Sequence, residues 1–222
     1  MLRSRTLRPG RLLAAAAALV ALSALPCATA SAATDTTQFS VTAGTLSFGT
    51  APDVPNMPAL TLNGQAQTLS AAMNSLSVAD ATGSGAGWNV TVNGDASAGK
   101  SAVFKQYCPN ATCGTDSGPG YVSSGATLAA NSLTLSSTGA SFNALSGTTG
   151  TAPTHQCGSG CNVDSASAVK TVSAASGAGM GTYQATGYGA SSLSLSAPTT
   201  VKVLQTNEVY RLDLLWSLNS GP

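Results

Sequence analysis

Apolar and polar residues alternate along most of the chain. Phe39 and Val41, then Leu46 and Phe48, mark a strand across Gln38–Phe48. Leu76–Asp80 forms a shorter one. Trp88, Val90 and Val92 alternate with Asn89 and Thr91. The same rhythm returns around Leu133 and Leu135, Leu193 and Leu195, and Val201 and Val203. Period two, with turn residues between the runs, predicts antiparallel strands with one buried face. Leu69–Leu76 alone hints at a short helical turn. The last run is the strongest. Tyr210, Leu212, Leu214, Trp216 and Leu218 fall on one face, and Val209, Arg211, Asp213, Leu215 and Ser217 on the other. It predicts a central core strand with Asp213 facing outward beside Arg211.

Between these runs lie long Gly/Ser/Thr-rich loops. Thr50–Pro58 carries three prolines and does not read as a central strand. Residues 99–130 and 145–180 show little periodicity and read as ordered insertions. Many short strands predict an all-β fold, an antiparallel β-sandwich of Ig-like or jelly-roll-like kind.

The first 32 residues read differently. Arg3, Arg5, Arg8 and Arg11 precede an apolar run from Leu12 to Leu25, followed by small residues ending at Ala32. This is the pattern of a secretory signal peptide, cleaved after Ala32. Pro26 sits where lipoprotein processing at Cys27 would have to cut, so lipidation is disfavoured. The organisation expected is residues 1–32 as signal and 33–222 as one domain, with no membrane span after cleavage. The remaining chain has five cations against eight carboxylates, a net charge of about −3. No basic patch remains to hold nucleic acid.

Four cysteines remain after cleavage: Cys108, Cys113, Cys157 and Cys161. In an exported chain they read as two disulfides rather than a metal site, and local and crossed pairings are both open. His155 lacks the nucleophile elbow of a Ser-His-Asp hydrolase, and the carboxylates are scattered. Gly83–Gly87 leads into a strand, not a helix, so it reads as a turn rather than a phosphate loop. Asp80 reads as the residue that organises this turn. The sequence calls for no catalytic residue, no cofactor and no metal.

Four pieces together resemble the WxL domains of Gram-positive cell surfaces. They are Val78–Val92 (VADATGSGAGWNVTV), Gly177–Ala185 (GAGMGTYQA), the closing block Leu193–Pro222, and Thr45–Thr50 (TLSFGT). The first motif reads Trp88-Asn89-Val90, with valine in place of leucine; Trp216-Ser217-Leu218 keeps the literal form. The resemblance implies a secreted β-domain that binds peptidoglycan or another wall glycan non-covalently. It also implies possible company of other surface proteins, so a structural or adhesive subunit is the alternative. The motif residues Trp88, Val90, Trp216 and Leu218 are open to two readings, core packing or sugar platforms. The long apolar stripe favours packing. Tyr107, Tyr121 and Tyr188 are then the candidate glycan contacts.

Overall fold

The computed structural model describes residues 34–222 other than Ser146; residues 1–32, expected to be a signal peptide, and Cys27 among them lie outside the described residues. Residues 34–45 carry no regular structure. Val41–Pro222 forms one compact unit. Every strand in it pairs antiparallel, as the alternation requires.

Numbering strands along the chain, one sheet runs β1 (Leu46–Thr50), β3 (Leu76–Asp80), β14 (Gly181–Thr186) and β10 (Ser141–Ala144). A second runs β11 (Thr154–His155), β13 (Val169–Ala174), β4 (Trp88–Gly94) and β17 (Leu214–Ser220). A third runs β12 (Cys161–Asn162), β9 (Leu133–Leu135), β15 (Leu193–Ala197) and β2 (Gln67–Ala71). A smaller sheet joins β16 (Val209–Arg211), β5 (Lys105–Cys108) and β8 (Gly120–Tyr121). A ribbon of β6 (Thr112–Cys113) and β7 (Asp116–Ser117) completes the set. The architecture is an all-β sandwich.

One shared core explains the alternation. In β4 the buried positions are Trp88, Val90, Val92 and Gly94, every second residue. Leu133 and Leu135 of β9, and Leu193 and Leu195 of β15, bury against the same cluster as Leu76, Val78 and Val172. Each such side chain contributes roughly 1.5–3 kcal/mol when removed from water. Asp80 organises the glycine turn, as expected: its Oδ1 accepts the Thr82 amide at 3.0 Å and the Thr82 hydroxyl at 2.7 Å.

Several expectations are corrected. Gln38–Phe48 is a strand only from Leu46; Phe39 and Val41 are 91% and 81% exposed. Leu69–Leu76 holds no helical turn: β2 ends at Ala71 and β3 begins at Leu76. Val201 and Val203 belong to no strand. The weakly periodic stretch 145–180 contains β13, which pairs with β4 inside the sandwich. Its Lys170–Val172 register shift breaks the period-two pattern that would have revealed it. Finally, the closing run is not a central strand. It breaks at Leu212–Asp213 into β16 and β17, in separate sheets, and β17 is an outer strand.

Candidate functional site

The two tryptophan strands are direct neighbours. Across the β4–β17 ladder Leu218 opposes Val90, Trp216 opposes Val92 and Ser220 opposes Trp88. Opposed residues share a sheet face, so both indoles project to the same side. Their environments differ. Trp88 is fully buried, as are Val90 and Val92, and its Nε1–H donates to the Gly179 carbonyl at 3.0 Å. Gly179 has φ +72°, and a Cβ there would lie 2.6 Å from the Trp88 Nε1. The Gly177–Gly181 turn is therefore the seat of the Trp88 indole. Trp216 and Leu218 are only half-buried, packed against the rim of the core.

The exposed part of Trp216 lines a cleft of about 1070 Å³. One wall is the proline-rich segment from Pro52 to Leu62, whose Val54 and Met57 pack on the core. Asn74 ties this wall in place through a 2.6 Å hydrogen bond to Asp53 Oδ2. Phe104, Tyr107 and Tyr210 line the same cleft. Four aromatic rings thus gather in a chain with few aromatics, from β5, β16, β17 and the loop before β5. Tyr210 also pins the segment 200–205 at the lip. Its hydroxyl donates to the Lys202 carbonyl at 3.1 Å and accepts the Lys202 amide at 3.2 Å.

Asp213 organises the charged end of the cleft. It does not face outward as the alternation predicts, because the chain leaves strand geometry there and turns the carboxylate inward. It is 9% exposed. Arg211 donates to its Oδ1 from Nη2 at 2.8 Å and Nε at 3.2 Å, and Lys100 Nζ lies 3.5 Å away. The Tyr121 hydroxyl donates to Oδ2 at 2.5 Å, and the Ser101 amide at 3.2 Å. Burial pushes the Asp213 carboxyl up, but the Tyr121 and Arg211 hydrogen bonds outweigh it and hold it below its usual range. Burial and the bond to Asp213 push the Tyr121 hydroxyl well above its usual range. The held Arg211 guanidinium sits 4.5 Å over the Tyr107 ring, and Tyr121 meets that ring edge-on at 5.0 Å.

Of the candidate tyrosines, Tyr107 therefore lines the cleft and Tyr121 stands behind it. Both are half-buried. Tyr188 is elsewhere. It packs edge-on against His155 at 5.7 Å, and burial pushes its hydroxyl up to about 12. His155 also stacks on Phe142 at 4.4 Å, and burial lowers its pKa. The cysteines pair locally, Cys108–Cys113 and Cys157–Cys161. Among the described residues, no three His, Cys, Asp or Glu side chains gather to hold a metal ion.

Sequence reasoning missed Phe104, Tyr210 and Asp213 as site residues. The one available signal was Arg211-Leu212-Asp213, a charged pair interrupting an otherwise apolar run. Its inward turn depends on Ser101 and Tyr121, more than ninety residues away.

A family model described as WxL domain, surface cell wall-binding, matches residues 32–222. Neither the curated proteins nor the solved structures return a match.

Proposed function

Since the chain belongs to the WxL domain family of surface cell wall-binding proteins, we propose that it is an exported, non-catalytic module that holds peptidoglycan glycan non-covalently in the Trp216 cleft. The observation that carries this reading is the division of labour between the two tryptophans. Trp88 is sealed in the core, while Trp216 of the literal Trp-x-Leu reaches a cleft shared with Tyr107, Tyr210 and Phe104.

The chemistry suits a sugar chain. The C–H faces of pyranose rings lie well on aromatic rings, and hydroxyl and acetamido groups need fixed donors and acceptors at the rim. Asp213 holds Arg211 and Lys100 in place before any ligand arrives, which lowers the entropy cost of binding. The buried carboxylate of the cleft is already engaged: Asp213 accepts from Tyr121, Ser101 and Arg211, which supports a positioning role for it rather than a catalytic one.

The test is co-sedimentation of the exported chain with purified peptidoglycan. Trp216→Ala and Tyr107→Ala are expected to bind about tenfold more weakly or worse, the loss of roughly 1.4 kcal/mol or more. Trp88→Phe, if folded, is expected to bind as the unaltered chain does. Unchanged binding by both cleft variants would sink the proposal.

A further inference from the structure

Two segments of this chain have strand chemistry and an unfilled pairing edge. The first precedes β1. Phe39 and Val41 alternate with Ser40 and Thr42, in a run also rich in threonine. This is a strand pattern. Yet the ladder with β3 begins only at Gly44, whose amide donates to the Ala81 carbonyl at 2.9 Å. Phe39 and Val41 are left 91% and 81% exposed.

The second is β17. It is the outer strand of its sheet, seven residues long and paired with β4 in unbroken register. Among the described residues, the backbone of Leu214–Ser220 makes no hydrogen bond to any strand but β4. Outer strands are usually defended by charge, proline, a bulge or short length. Leu-Leu-Trp-Ser-Leu-Asn-Ser has none of these, and Leu215 is 48% exposed. The other outer strands are two to five residues long, and β1 is interrupted by a register shift.

We infer that residues 38–43 of one copy add as a further strand along the open edge of β17 in a second copy. Every copy carries both halves, so a second copy is the partner. The arm's six residues reach roughly 20 Å when extended, close to the length of the seven-residue edge. Neither segment carries a charge, so pairing meets no like-charge repulsion. The backbone ladder supplies affinity, and Phe39 and Val41 gain cover that the lone chain does not give them. Because arm and edge are different surfaces, the contact either closes by mutual exchange in a dimer or propagates. This assembly does not rest on the wall-binding reading.

Sedimentation velocity over a range of concentrations tests it. The exported chain is expected to gain mass with concentration. Val41→Pro removes a ladder donor from the arm, at a side chain too exposed to matter to the core. Leu215→Lys places a charge on the edge at another exposed position. Each variant alone is expected to associate at least tenfold more weakly. Mixed, the Leu215→Lys copy still has an arm and the Val41→Pro copy still has an edge, so a 1:1 complex is expected. A chain that stays monomeric throughout, or a Val41→Pro variant that assembles like the unaltered chain, would overturn the inference.

Discussion

The indole N–H of Trp88 donates to the carbonyl of Gly179, ninety-one residues later, at 3.0 Å. This single bond joins the first tryptophan motif to the Gly177–Gly181 turn. A buried indole N–H without a partner is costly, so the turn and the tryptophan need each other. Trp88→Phe is expected to destabilise the domain by about 1–3 kcal/mol, and Trp88→Ala by about 3–5 kcal/mol. Urea unfolding of the two variants measures both. Equal stability of Trp88→Phe and the unaltered chain would show that this bond carries nothing.

Two glycines separate turn geometry from close approach. Gly83 and Gly179 both have positive φ, +66° and +72°. A Cβ on Gly83 meets nothing within 4 Å, whereas on Gly179 it meets Ala174 Cβ at 2.5 Å and the Trp88 ring. Gly83→Ala is expected to cost about 1–2 kcal/mol from the backbone alone. Gly179→Ala is expected to cost more, because the indole must also move. Thermal unfolding of the pair reads the difference, and equal losses would contradict the seat described for Trp88.

Acid weakens the fold in two separate windows. Burial lowers the His155 pKa, so the unfolded chain takes up this proton first as pH falls. The stability that neutral His155 protects is complete above about pH 6.5 and is lost as pH drops below it. His155→Phe keeps the stack on Phe142 and is expected to flatten stability between pH 7.5 and pH 5. Asp213 is also held low, so its contribution is complete above about pH 4 and is lost only below that. Asp213→Asn is expected to flatten the lower window and leave the upper one intact. Urea midpoints across pH check both; a slope unchanged in either variant counts against its residue.

The sequence by itself determined the buried face of the strands whose alternation is clear. Trp88, Val90, Leu133 and Leu193 lie on the buried face that period two assigned them, because a strand's side chains alternate whatever it pairs with. It also determined the turn at Asp80, since an aspartate bonding two residues ahead is a local matter. The paired cysteines followed from their number, though sequence left the pairing open. Only the tertiary structure decided what lay beyond local geometry. Nothing local distinguishes a central strand from an outer one; Arg211 and Asp213 mark a polar interruption of the closing run, but only the sheet pairing shows that the strand breaks there and that β17 is an outer strand. Val201 and Val203 alternate as well as Val90 and Val92 do, yet no strand pairs with them. The fate of the two tryptophans followed the same rule. Trp88 pairs on both sides, with β13 and β17, and is sealed; Trp216 pairs on one side only and keeps a face for the cleft. Alternation fixes which way a side chain points, and neighbours distant in sequence fix what it meets there.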